Sequence, residues 1–461
     1  MRGVSERGAE RASGPVLSSR SEACTRPEAA LPIHGRSRFC FSKGAAIISR
    51  PLVLKVLGRA MSARASTDQL ENPDFPFLSD SLTVATVKES KTFFIIRGMP
   101  GSGKSTLAKQ ISLKYKEACR VISADKFNLK PEVRSAVPEA YHKLDDEVAS
   151  CCRQGASVVV LDDTHHEKER LDQLLDIADQ HQFSVVFVEP KTPWHGDCFV
   201  LAQKNHWGLS LEELKNLKPA LDAELLPLYY GWFLSRKSAE HLRKTGLTFL
   251  EGLGNLKAFR KRSSDFGSYE PKAKIDLPAY FAHRPSVLHC TTKFTDYGKA
   301  PGSEQYAKLE ALKNAYGKAF SLTITALFVT PNTTGARVKL GEQELLLWPP
   351  DADKETPTSE SLPKGSRAHV TLGCARGVED KQTGLDLLEF VKLQQGGSEG
   401  EDLGELSSGT LRYFNKGLWM LTLSKKLEVK AIFSGYYGKG KLVTSEGSGA
   451  KDSAFPSCTI I

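Results

Sequence analysis

Residues 98–105, GMPGSGKS, constrain this chain more than any other stretch. They fit G-x-x-x-x-G-K-[ST], a pattern that requires a buried strand before it and a helix after it. Both flanks are legible. TFFIIRG (92–98) is an apolar run, and TLAKQISLKYKEA (106–118) has helical periodicity. Gly98, Gly101 and Gly103 permit the tight turn that aims backbone N–H groups at phosphate oxygens. The helix that follows adds the positive end of its dipole. Lys104 has the reach for β- and γ-phosphates, Ser105 supplies a hydroxyl for Mg²⁺, and Thr106 opens the helix beside them.

The pattern continues downstream. CRVISAD (119–125), SVVVLDD (157–163) and FSVVFVEP (183–190) read as strands, and EKERLDQLLDIADQHQ (167–182) reads as a helix. Strands alternating with helices imply a parallel sheet covered on both faces. The third strand ends in Asp162 and Asp163, either of which suits a carboxylate that holds Mg²⁺ through water. The second ends in Asp125, placed for a general base toward an acceptor hydroxyl or for a helix cap. The expected ligand is ATP or GTP with Mg²⁺. ISADKF together with LDDTHHEKERL resembles the polynucleotide 5′-hydroxyl kinase branch of P-loop proteins. That resemblance implies a lid arginine, for which Arg170 is the candidate.

The net charge of +9 suggests a polyanion partner until it is mapped. Residues 1–66 hold ten Arg and two Lys against four Glu, so nearly all the excess lies there. The remainder is close to neutral, and any basic surface on it must be local. The leader is poor in acids and rich in Arg and Ser, as mitochondrial transit peptides are. RPLVLKVLGRAM (50–61) suits a short basic amphipathic helix, while Met61 offers an internal start. Residues 1–87 are expected to lie outside the fold. The nine cysteines show no CxxC pair and no framework spacing, which fits reduced thiols. No apolar run reaches membrane-spanning length.

Residues 209–260 read as mostly helical, AELLPLYYGWFL included, and 261–274 as a loop. Strands are expected near 286–293, 319–330, 335–348, 367–373, 418–424 and 428–434, with helices near 303–316 and 383–394. Residues 350–366 and 394–404 look like mobile loops. In this half, SVLHCTTKF and RAHVTLG each place a histidine two residues before a threonine in a strand-like run. On a strand, i and i+2 share a face, so His289 pairs with Thr291 and His369 with Thr371. Facing each other, the two pairs would form a cleft with one imidazole as base, one as acid, and hydroxyls for phosphate oxygens. Such a site suits a cyclic phosphodiester and needs no metal or cofactor.

HCTTKF and HVTLG resemble the paired H-x-[ST] motifs of the 2H phosphoesterase superfamily. With the P-loop ahead, and with PLYYGWFL, TTGARV, GYYGKGK and CTII, the chain is similar to a myelin-associated branch of it. The resemblance implies an α/β chain: an N-terminal P-loop parallel-sheet domain (88–210) and a C-terminal two-lobed α+β phosphoesterase domain (211–437). It also implies hydrolysis of 2′,3′-cyclic nucleotides, or RNA with cyclic ends, to 2′-phosphates. His369 is assigned as base and His289 as acid, the reverse remaining open. Arg367 and Phe294 flank the motifs and are candidates for contacts to phosphate or base.

Residues 438–461 read as a tail ending Cys458-Thr459-Ile460-Ile461, a C-a-a-X prenylation box. One lipid gives only weak, reversible anchoring, so a second signal is expected. Lys439, Lys441 and Lys451 add a modest basic contribution. The expected location is the cytoplasmic face of membranes, plasma membrane or myelin, with a mitochondrial fraction if the leader is translated. Cytoskeletal proteins are possible partners.

Overall fold

The computed structural model describes residues 75–131, 138–267, 275–356, 358–438 and 442. The basic leader through residue 74, Lys439, Lys441, Lys451 and the prenylation box with Cys458 lie outside them.

The first described elements are α1 (Pro76–Ser79) and α2 (Ser81–Lys88), inside the stretch expected to be irregular. Asp80 caps α2, its carboxylate accepting from the Thr83 backbone N–H at 2.8 Å. Phe75, Phe77 and Val87 are buried with Phe94, Ile96, Leu107 and Tyr115. The leader therefore ends before residue 75, because these side chains cover one face of a sheet.

That sheet contains β1 (Thr92–Ile96), β2 (Cys119–Ser123), β3 (Val158–Asp162) and β4 (Ser184–Val188), all parallel, in the order β2-β3-β1-β4. Every residue of β1 and β3 is buried, as a sheet covered on both faces requires. Alternation sorts them. Phe94 and Ile96 face α1, α2 and α3 (Lys104–Tyr115). Phe93 and Ile95 face α4 (Pro138–Arg153) and α5 (Lys168–Gln180).

α6 (Cys198–Lys204) and α7 (Leu211–Asp222) complete this lobe. A boundary at 210/211 would give α7 to the second lobe, but Leu214, Leu217 and Leu221 are buried against Met99, Cys198 and Leu201. Each such burial contributes roughly 1.5–3 kcal/mol. The buried Arg97 guanidinium also donates to the carbonyls of Ala220 at 2.5 Å and Leu221 at 2.6 Å, capping α7. The first lobe thus extends through residue 222.

The second lobe opens with β5 (Tyr229–Leu234), where a helix was expected. Its aromatic residues favour strands. Tyr230, Trp232 and Leu234 enter the core on alternate positions, and a Cβ on Gly231 would lie 2.6 Å from the Cys290 carbonyl. α8 (Arg236–Asn255), α9 (Lys257–Lys261) and α10 (Leu277–Tyr280) follow. Next come β6 (His289–Phe294), α11 (Ser303–Ala307), α12 (Glu310–Ala315), β7 (Ala319–Val329) and β8 (Thr333–Lys339). α13 (Glu342–Leu346), β9 (His369–Cys374), α14 (Gln382–Gln395), β10 (Glu401–Leu406), β11 (Gly409–Asn415) and β12 (Leu418–Tyr436) complete it.

Several expectations are corrected here. The strand expected over 335–348 stops at Lys339 and gives way to α13. The loop over 394–404 contains the start of β10, which pairs with β11. The two strands expected over 418–434 are one, with a register shift between Thr422 and Leu427. The loop before β9 is fastened by buried Asp353, which accepts from Trp348 Nε1, Gly365 N and Arg367 N, each at 2.8 Å.

The sheet is antiparallel throughout, in the order β10-β11-β12-β7-β8-β9, with β5 joining the far half of β12 and β6 joining β5. This leaves β6 and β9 as edges that approach each other. The Cys374 backbone N–H crosses to the His283 carbonyl at 2.8 Å.

Candidate active site and nucleotide site

β6 and β9 carry the two histidine pairs to the edges of one cleft. His289 Nδ1 lies 3.0 Å from the Val287 carbonyl, and His369 Nδ1 lies 2.6 Å from the Arg367 carbonyl. A carbonyl only accepts, so each Nδ1 carries the hydrogen and each Nε2 is left with a lone pair when the ring is neutral. The two rings are held in mirrored fashion, each by the carbonyl two residues earlier. Both are half-buried. Among the described residues, the Thr291 and Thr371 hydroxyls have no hydrogen-bond partner, and Thr371 is buried.

The surroundings distinguish the two rings. Burial pushes His369 down to about 4, the Arg367 carbonyl opposes this, and the Arg367 and His289 cations add to it. Burial also lowers His289, but there the Val287 carbonyl and the Asp380 carboxylate both oppose the shift.

Arg367 is half-buried, with its backbone N–H fixed by Asp353. Burial lowers its pKa and the Asp353 charge opposes this. Its guanidinium has no hydrogen-bond partner among the described residues. α14 packs directly on it: a Cβ on Gly384 would lie 2.6 Å from Arg367 Nε and 2.9 Å from His369 Cε1.

Simple alternation from His289 would turn Phe294 to the opposite face. A bulge at Thr292 changes this, since Gly231 pairs with Thr291 and Tyr230 with Lys293. Thr292 turns inward, donating to the Tyr230 carbonyl at 3.1 Å and accepting from the Tyr306 hydroxyl at 2.9 Å. Phe294 is then opposite Tyr229, on the face that carries His289. Tyr229 stacks on the His289 ring, with centroids 4.9 Å apart and planes at 22°, and Phe233 lies 5.6 Å from it. Gly384, Tyr229 and Phe233 were missed from sequence. The signal for the aromatic pair was the alternation in YYGWFL.

In the first lobe, Gly101 (φ 83°) and Gly103 (φ 101°) adopt left-handed backbone that favours glycine. A Cβ on Gly101 would also sit 3.0 Å from the Asn205 backbone nitrogen. A cavity beside them is lined by Lys104, Ser105, Thr106, Asp125, Asp162 and Asp163, with Lys204, His206 and Trp207 opposite. Lys104 Nζ donates to the Met99 carbonyl at 3.0 Å. Burial lowers its pKa, and Asp162, Asp163 and Asp125 oppose the shift.

Burial raises the Asp162 carboxyl, against the Ser105 hydroxyl and the Lys104 charge. Asp163 is engaged by the turn, accepting from Thr164 N at 2.6 Å and the Tyr141 hydroxyl at 3.4 Å. Asp162 is thus the carboxylate that stands with Ser105. Asp125 accepts from Trp207 Nε1 at 3.2 Å and lies 3.1 Å from His206 Nε2. Arg170, the lid candidate, is turned inward in this structure. It is buried, paired with Asp145 at 2.6 Å, and its guanidinium lies over the Tyr141 ring at 4.4 Å.

A family model described as 2′,3′-cyclic nucleotide 3′-phosphodiesterase matches residues 226–460, and one described as an AAA domain matches residues 93–205. The 2′,3′-cyclic-nucleotide 3′-phosphodiesterase of Pongo abelii is 56% identical over 416 residues, covering 90% of this chain and 98% of that protein. The chain belongs to the 2′,3′-cyclic-nucleotide 3′-phosphodiesterase family. The Rattus norvegicus phosphodiesterase is 57% identical over 415 residues, again 90% of this chain and 98% of that one. A solved fungal RNA kinase aligns with 75% of this chain and 99% of its own at 12% identity and a TM-score of 0.26. The activity is hydrolysis of 2′,3′-cyclic nucleotides. The phosphodiesterase match begins at 226, past α7, in keeping with that helix packing on the P-loop lobe.

Proposed function

We propose that the cleft between β6 and β9 opens the cyclic phosphate by a two-histidine acid/base mechanism. The observation that carries this reading is the mirrored anchoring of the two rings, which leaves both Nε2 atoms available. His369, held neutral by burial and neighbouring cations, takes a proton from water as the oxygen attacks phosphorus. His289, with the Asp380 carboxylate favouring its charged form, gives its Nε2 proton to the leaving 3′ oxygen. The Thr291 and Thr371 hydroxyls donate to the non-bridging oxygens, and Arg367 offsets their charge. Phe294 offers the base a ring face. Imidazoles, hydroxyls and guanidinium supply every proton and charge these steps need, so none is routed through a metal. In the full chain, His289→Ala or His369→Ala should each lower turnover of 2′,3′-cyclic AMP by about 10²–10⁴-fold. Activity retained in both variants removes the assignment. Phosphorus NMR of the product should show the 2′-monophosphate.

The P-loop lobe is proposed to bind ATP or GTP with Mg²⁺. Ser105 and Asp162 would hold the ion and Lys104 the β- and γ-phosphates, the ion supplying charge neutralisation between them. Lys104→Ala should abolish nucleotide binding measured by calorimetry. Transfer of γ-phosphate to a 5′-hydroxyl RNA end would make the chain an end-repair enzyme with Asp125 as base, and no transfer leaves a nucleotide-sensing scaffold. Among the described residues no helix is long and apolar enough to cross a membrane. We propose attachment to cytoplasmic membrane faces, plasma membrane or myelin, through a prenylated Cys458, with cytoskeletal proteins as candidate partners. Cys458→Ser should move the protein to the soluble fraction.

A further inference from the structure

We infer that Asp179, on α5 of the P-loop lobe, is a positioning residue for the phosphodiesterase reaction, acting on His289 through Tyr436 and Tyr229. It rests on the reading of His289 as the acid.

One face of the β12-β5-β6 ladder serves two purposes. Register places Tyr436, Tyr229 and Phe294 side by side at one level, Ser434, Gly231 and Thr291 at the next, and Ile432, Phe233 and His289 beyond. The β6 end of each row faces the cleft. The β12 end docks on the P-loop lobe. Ile432 is buried in that lobe's core beside Val186 and Val188, and Ser434 Oγ donates to the Val185 carbonyl at 2.5 Å. Tyr436 donates its hydroxyl to Asp179 Oδ1 at 3.0 Å.

Between these ends is Tyr229. It stacks on His289 at 4.9 Å and on Tyr436 at 5.1 Å with planes at 26°. Among the described residues its own hydroxyl has no hydrogen-bond partner, so its ring is oriented by ring contacts, the Phe233 ring at 6.2 Å among them. The directional tether in the stack is the Tyr436 hydroxyl on Asp179. Without it Tyr436 is free to turn, Tyr229 follows, and the His289 ring loses the surface that sets its plane. The Nδ1 bond to Val287 fixes one axis of that ring and leaves rotation about it to the stacking partners.

The effect should fall on kcat and spare KM, because neither Asp179 nor Tyr436 belongs to the proposed substrate contacts. In the full chain, Asp179→Ala and Tyr436→Phe should each lower kcat for 2′,3′-cyclic AMP by about ten-fold, with KM within about two-fold. The double variant should be no worse than either single one, since both cut the same bond. Asp179→Asn retains an acceptor oxygen and should recover most of the rate. Gln180→Ala, one residue on and exposed, is the control. A kcat within about two-fold of the parent in both Asp179→Ala and Tyr436→Phe overturns the inference, as do additive losses. If Asp179→Ala does not fold, Tyr436→Phe and Asp179→Asn decide. His289→Ala is run alongside. If it stays active, the acid assignment itself fails; if it is inactive while the Asp179 and Tyr436 variants are unimpaired, only the positioning role fails.

Discussion

His369 and His289 each give an Nδ1 hydrogen to a carbonyl two residues back, and the charges around them differ. His369 is lowered to about 4 by burial and cations, so its base form is present throughout the neutral range. As the proposed acid, His289 would have to carry a proton, and its pKa lies below the ordinary value, so activity should decline as pH rises through it. Removing an anion lowers the pKa of a nearby cation-forming group further. Asp380→Asn should therefore move the alkaline limb of kcat/KM to lower pH and leave the acid limb in place. Asp380 is half-exposed, so solvent screening keeps that displacement small. A shift to higher pH contradicts the assignment.

His165 makes a separate prediction. It is buried beneath the P-loop with Nδ1 2.7 Å from the Ile96 carbonyl, and burial first of all lowers it from 6.5 to about 4. The fold holds it neutral. Its contribution is whole above the unfolded value and is lost as pH falls through the folded one. Denaturant titrations should show stability dropping by up to about 3 kcal/mol across that window. His165→Gln should flatten the drop.

At the scale of elements, α14 is placed by what it lacks. Gly384 lets the helix backbone approach Arg367 and His369 closely. Alanine there gains about 1 kcal/mol of helix propensity and displaces the Arg367 side chain and the anchored His369 ring from their places in the cleft. Gly384→Ala should retain or raise the melting temperature while lowering kcat/KM by about ten-fold or more. A variant with unchanged activity means the two side chains move aside harmlessly. Elements differ in how far neighbouring residues alone encode them. β1, β3 and the histidine strands announce themselves by local apolar runs and period-two spacing. β5 reads as helix in the sequence because its apolar run has no break from the helices around it. β10 carries acids and glycines and becomes a strand only because β11 offers it a ladder. The Thr292 bulge depends on a partner strand 62 residues away in sequence.

At the scale of the molecule, the lobes share a core and a seam. Ile432 is buried among P-loop-lobe side chains, Tyr437 meets Phe187 edge-on at 4.8 Å, and Lys430 reaches Glu89 at 3.3 Å. A ligand at the P-loop should therefore stabilise both. At about 100 times its Kd, the proposed nucleotide with Mg²⁺ would add roughly 2.7 kcal/mol. Unfolding followed by near-ultraviolet signals from Trp232 and Trp419 should shift with that of the first lobe. Two separate transitions, with only one displaced, would contradict a shared core. The sequence by itself determined the P-loop and its flanks, the parallel sheet, and the two His-x-Thr pairs, since each is written in neighbouring residues. Tertiary structure alone decided that α7 belongs with the first lobe, that Phe294 faces the cleft, that Gly384 lies against Arg367 and His369, and that Asp179 accepts from Tyr436. Those contacts join residues far apart in the chain, and no local pattern records which distant surface a side chain will meet.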